Sequence, residues 1–188
     1  MPTDRIIRPG DLFIIDINGV SFQGYRTCYY RTYAVGDKPT EFQKEVYNCA
    51  YEGLMSLLNS IKPGITNYEA QQNWLKQGDA SGLWGRVPKW PEPGRYYVGS
   101  TAHPLGLCSG DPGPRIQGTV PYLPGPPLTL EKNMCFAVEV GCFVWDGKKW
   151  ARDGVKLEQC GRVTETGFEV FYRFPLKDLI TCGLPGIY

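Results

Sequence analysis

Apolar positions cluster first over residues 11–36. Asp11-Leu12-Phe13-Ile14-Ile15-Asp16-Ile17 is an apolar, β-branched run of the kind that forms a strand. Asn18-Gly19 carries turn chemistry, and Tyr25 to Gly36 reads as the returning strand of a hairpin. The period then changes. Phe42, Val46, Ala50, Leu54, Leu57 and Ile61 recur at helical spacing and predict a helix with one buried face. Thr40 and Gln43 make a capping box at its start, and Lys62-Pro63-Gly64 ends it. A shorter helix is predicted from Thr66, with Glu69 completing a second box, to about Gly78.

Periodicity is lost after that. Residues 79–98, with Trp84, Pro88, Trp90, Pro91 and Pro93, read as a long lid or interface loop. Residues 110–128 read as a second loop, rich in glycine and proline. A strand pattern returns over Cys135–Val140, with a turn region at Asp146-Gly147 and a return through Val155–Glu158. A final strand pair is expected around Gly161–Phe174. No short-period repeat and no linker-like stretch interrupts the chain, so residues 1–188 are read as one α+β domain.

Composition narrows the function classes. The 188 residues are 42% hydrophobic and 21% charged, with a formal net charge of +1. That is ordinary for a globular domain and offers no basic excess for a phosphate backbone, so nucleic acid is not an expected partner. No apolar run approaches the ~20 residues that span a bilayer, so no membrane partner is expected. The start, Met1-Pro2-Thr3-Asp4-Arg5, lacks a leader pattern, and a cytoplasmic location is expected. Seven cysteines occur without a C-x-x-C pair, which argues against a zinc ribbon or a disulfide framework and for reduced, buried thiols.

Four residues carry candidate chemistry: Asp16, His103, Glu139 and Glu158. Ile15-Asp16-Ile17 and Val138-Glu139-Val140 each place a carboxylate inside an apolar strand. Such an acid is costly to bury unless it is paired, hydrogen-bonded or bound to a metal; otherwise it faces solvent on the alternate side of the strand. Carboxylates with one imidazole suit Fe, Mn, Co or Zn.

These segments, in this order, resemble the pita-bread metallohydrolases, the superfamily of creatinase, aminopeptidase and prolidase. Gly10–Asp16, followed by Gly24-Tyr25 and Arg31-Thr32, is similar to its first metal-binding hairpin. His103-Pro104-Leu105-Gly106-Leu107 is similar to its His-Gly-x-Gly segment, and Asn133–Glu139 to a glutamate-bearing strand. Glu158, with Val163-Thr164-Glu165-Thr166-Gly167-Phe168-Glu169 after it, resembles the strand with the last glutamate. The resemblance runs from about residue 8 to 180. It implies a curved antiparallel sheet with helices on one side, shortened at the N-terminus. It also implies Asp16, His103, Glu139 and Glu158 as ligands of a divalent transition metal, with Glu139 also able to take a proton from water.

The departures are specific. The family's second aspartate falls on Cys28, a weak replacement for a bridging carboxylate, so one ion is expected if any. Gly110 stands where peptidases of the family carry a second histidine, and His103 is the only histidine. The hairpin holds one residue more before Gly24-Tyr25 than ordinary members, which resembles the branch that cleaves dimethylsulfoniopropionate by β-elimination. In that lyase reading Asp111 is the base, and Tyr25, Trp84, Trp90, Tyr96 and Tyr97 are candidate pocket residues for a sulfonium cation. The hydrolase reading expects a small or short-peptide substrate. A third reading is a pseudoenzyme or fragment. An open sheet edge in a shortened fold leads to the expectation of a homodimer.

Overall fold

A computed structural model describes residues 4–81, 95–108, 110–118, 125–145, 148 and 154–183. Its core is a five-stranded antiparallel sheet in the order β6-β5-β7-β8-β9. The strands are β5 (Arg95–Pro104), β6 (Ile116–Gln117), β7 (Cys135–Trp145), β8 (Val155–Val163) and β9 (Phe168–Val170). A second sheet runs β1-β4-β10, from β1 (Leu12–Asp16), β4 (Tyr30–Val35) and β10 (Ile180–Cys182). Between β1 and β4 a small ribbon forms from β2 (Ser21–Phe22) and β3 (Tyr25–Arg26).

Two helices, α1 (Glu41–Ser60) and α2 (Asn67–Ala80), lie in sequence between the sheets. Both expected capping boxes form. Thr40 Oγ1 accepts from Gln43 N–H at 3.1 Å while Gln43 Oε1 accepts from Thr40 N–H at 3.0 Å. Thr66 and Glu69 repeat the arrangement at 3.2 and 2.7 Å. Each box satisfies backbone donors that the first helical turn leaves unpaired. On α1, Val46, Ala50, Leu54, Leu57 and Ile61 are buried as the spacing predicts, but Phe42 is exposed because it sits in the first turn, beyond the edge of the packed face. Trp74 of α2 donates Nε1–H to Gly53 O at 2.9 Å and locks the helices together.

The core strands read as near-continuous apolar runs because both faces are covered. Phe136, Val138, Val140, Cys142 and Val144 of β7 join the helices in one hydrophobic cluster. Ala137 packs on the other face with Cys28 and Cys160. That second face carries the chemistry described below.

Four expectations are corrected. The hairpin turn falls at Gln23-Gly24, both at positive φ, where a tight two-residue turn needs it. Asn18-Gly19 instead precedes a bulge: Gly19 N–H donates to Thr27 O and Thr27 N–H donates to Val20 O, so two residues face one. The loop expected over 79–98 overlaps α2 to Ala80 and β5 from Arg95; β5 is the longest partner of β7 despite the prolines before it. The loop over 110–128 contains β6, and its pairing with β5 is a contact between segments far apart in sequence. Finally, β9 ends at Val170, and the tail returns as β10 beside β4 in parallel, a pairing with no local signal.

The two sheets are joined through side chains. Thr32 Oγ1 accepts from Lys156 N–H at 2.9 Å and donates to Lys156 O at 2.8 Å. The buried Arg31 guanidinium donates to Glu158 O and, at 3.1 Å, to Gln159 Oε1. A Thr32→Val variant leaves both Lys156 backbone groups unpaired, and burying unpaired groups costs about 1–3 kcal/mol. Urea unfolding should show a lowered midpoint at unchanged slope. A midpoint equal to wild type would mean the hydroxyl does not join the sheets.

Candidate metal centre

The register of β5, β7 and β8 sets side chains in rows across one face of the sheet. Thr101, Glu139 and Glu158 are aligned partners, and His103, Ala137 and Cys160 form the next row. A third row is Gly99, Gly141 and Lys156. Successive residues of one row share a face because side chains alternate along a strand. The hairpin of β1 and β4 lies against this face and brings Cys28 to it.

Among the described residues, one group of metal-binding type comes together: Cys28, His103 and Glu158, with ligand atoms all within 4.8 Å of one another. Cys28 is 3% exposed, His103 9% and Glu158 0%. Both carboxylate oxygens of Glu158 are buried, with no hydrogen-bond partner among the described residues beyond the Cys28 thiol. Leaving a buried carboxylate unmatched is strongly unfavourable, so this is where a cation is called for. Burial pushes the Glu158 carboxyl up to about 7, with the charges of Glu139 and Asp16 adding and the Cys28 thiol and Lys156 opposing. Burial, with the nearby Glu158 charge, also pushes the Cys28 thiol up. A divalent cation reverses both tendencies, because it favours the deprotonated ligands.

The ligand atoms are oriented by their neighbours. His103 Nδ1 is 3.1 Å from Pro104 O; a carbonyl only accepts, so Nδ1 holds the hydrogen and Nε2 is left as the ligand atom. The Cys28 thiol donates to Asn18 Oδ1 at 2.6 Å, and Cys28 O accepts from Cys160 Sγ at 2.8 Å and Tyr172 Oη at 3.3 Å. Three donors of thiolate, imidazole and carboxylate type fit one ion with an open position, and this mixed set suits Zn or Co.

The other expected site residues are placed differently. Asp16, at the end of β1, is exposed, and Asn18 Nδ2 approaches its Oδ2 at 3.5 Å. Glu139 Oε2 is 2.9 Å from Lys156 Nζ. Lys156 lies on the site face two residues before Glu158, and the sequence reading did not single it out; its position on the same strand face was the available signal. Asp111 accepts from Leu107 N–H at 3.1 Å and Cys108 N–H at 2.8 Å, so both its oxygens shape the loop after β5. Tyr25 is exposed on β3. Trp84 and Trp90 lie outside the described residues; Tyr96 and Tyr97 belong to β5, and their side chains lie outside the described set. Beside Glu139 and Lys156 opens a pocket of about 190 Å³, lined also by Gly99, Thr101, Gly141 and Phe143. No helix among the described residues is long and apolar enough to cross a membrane.

The model of metallopeptidase family M24 matches residues 1–165. The chain is 29% identical over 170 residues to the Xaa-Pro dipeptidase of Lactobacillus helveticus, covering 90% of this chain and 40% of that protein. It is 30% identical over 179 residues to Xaa-Pro aminopeptidase 2 of Streptomyces coelicolor, covering 88% of this chain and 37% of that protein. The Xaa-Pro dipeptidase structure from Bacillus anthracis superposes with a TM-score of 0.64 at 28% identity, over 96% of this chain and 44% of that one. Dipeptidase PepE from Mycobacterium ulcerans shares the fold at a TM-score of 0.69 and 23% identity, over 97% of this chain and 43% of that one. The chain thus spans about 40% of the length of the relatives it matches. Its α+β architecture is the pita-bread fold, and the chain belongs to metallopeptidase family M24.

Proposed function

We propose that this chain is the catalytic portion of a peptidase acting on short peptides with proline in the second position, and that it works with one divalent ion held by Cys28, His103 and Glu158. The observation that carries this reading is the buried Glu158 carboxylate, with no cationic partner among the described residues and within 4.8 Å of two further ligand atoms. The names of the relatives, Xaa-Pro dipeptidase and Xaa-Pro aminopeptidase, support the substrate class.

A divalent ion bound there supplies Lewis acidity, polarising a carbonyl and acidifying water. The protein does the rest. Glu139 is 18% exposed, the more open of the two facing glutamates, and is the carboxylate placed to take a proton from attacking water. Lys156 pairs with Glu139 and fixes its position beside the pocket. The adjoining pocket is the size of a side chain and receives one residue of the peptide. His103 is the only imidazole in the chain and serves as a ligand, so a carboxylate must return the proton to the leaving amine. An elimination base at Asp111 is disfavoured, since two backbone amides already occupy its oxygens.

Elemental analysis of the purified protein should find about one divalent ion per chain. Cys28→Ala and Glu158→Gln should each weaken binding by at least ~100-fold, beyond the 10–100-fold typical of outer partners. Metal content unaffected by either variant would place the ion elsewhere.

The loaded protein should release proline from Xaa-Pro dipeptides, and Glu139→Gln should lower kcat by roughly 10²–10⁴-fold. Acrylate release from dimethylsulfoniopropionate, with no peptide turnover, would instead establish the lyase reading.

In chelator-treated protein, Glu158 should make stability fall as pH rises. Its folded value, about 7, lies above its ordinary value of 4.5, so the folded state holds the proton more tightly. Its contribution is complete below about pH 4.5 and is lost as pH climbs through 7. The loss is on the order of 3 kcal/mol. Urea titrations at pH 5 and 8 should show the difference, and Glu158→Gln should abolish most of it.

A further inference from the structure

Glu139 and Glu158 are register partners on β7 and β8, yet they belong to different charge environments. Glu158 is buried beside the Cys28 thiol with no cationic partner among the described residues, whereas Glu139 Oε2 is 2.9 Å from Lys156 Nζ. The same ammonium stands 3.9 Å above the centre of the Tyr30 ring. Tyr30 is the register partner of Asp16 and hydrogen-bonds to its carboxylate. Lys156 therefore sits against Glu139 and the Tyr30 ring, and Tyr30 in turn bonds Asp16.

Its position is built rather than incidental. Thr32 clamps both backbone groups of Lys156. Gly99 and Gly141, the other members of its row, carry no side chains, and the Phe143 ring fills the space that a Cβ on Gly141 would enter. The pocket beside Glu139 opens against this lysine.

We infer that the ammonium of Lys156 takes the place of a second cation at Glu139, so that Glu139 serves Lys156 and the chain has room for a single divalent ion. The inference rests on the single-ion reading above and adds its cause. A second divalent ion at Glu139 would lie against the ammonium, where like charges repel strongly in a partly buried site.

The test is cobalt titration of chelator-treated protein, read by elemental analysis and by the thiolate-to-cobalt charge-transfer absorption, for wild type, Glu139→Gln, Lys156→Met and Cys28→Ser. Wild type should bind one equivalent with the thiolate band. E139Q should keep both, and C28S should lose the band. K156M, with its near-equal volume, should gain a second equivalent. Two equivalents in wild type, loss of the ion from E139Q, or K156M held at one equivalent would each overturn the inference. Circular dichroism reports whether each variant is folded, and should K156M not fold, wild type and E139Q still decide. Absence of cobalt from every protein would remove the single-ion reading itself. Two equivalents in wild type would leave a metal centre standing and remove only the role given to Lys156.

Discussion

The cost of burying the Glu158 carboxylate governs this molecule. The residue is fully buried on β8, and its side-chain oxygens have no partner among the described residues beyond the Cys28 thiol. A carboxylate in that position either binds a proton or meets a cation. The fold gathers the second option around it: a thiol from the first hairpin, an imidazole from β5 and a glutamate opposite on β7. Because the ligands come from three separated segments, the centre exists only when the two sheets are docked.

That docking depends on polar groups as much as on apolar area. Thr32 and Arg31 reach from β4 to the β8 backbone and fix the hairpin over the site face. The opposite face is a conventional apolar layer, with Val138, Val140 and Leu157 packed against the buried stripe of α1. Alternation along β7 and β8 separates the two roles, so one strand serves core and centre together. A slip of one residue in register would exchange them.

Within the centre, charge divides the candidate ligands into two groups. The buried group has a donor set with an open coordination position. Of the more exposed acids, Glu139 pairs with Lys156, and Asp16 bonds Tyr30, whose ring lies against the ammonium. Membership of metallopeptidase family M24 sets the framework, and within it Cys28 stands beside Glu158 while Lys156 pairs with Glu139.

Much was legible in the chain itself. Both capping boxes, the buried stripe of α1 and the long apolar strands on either side of Glu139 follow from local rules, because helix capping and burial periodicity act over a few residues. The ligand types also stand out, since Glu139 in an apolar run needs an explanation wherever it lies. Other features had no local signal. The strand character of Arg95–Pro104 was hidden behind proline-rich neighbours, the hairpin turn moved from Asn18-Gly19 to Gln23-Gly24 through a bulge, and β10 found β4 from the far end of the chain. Which acids stand together was likewise decided by tertiary structure. Spacing treats Asp16, Glu139 and Glu158 alike. Sheet register and hairpin docking join Glu158 to Cys28 and His103, and place Lys156 against Glu139, because burial and charge pairing are set by neighbours distant in sequence.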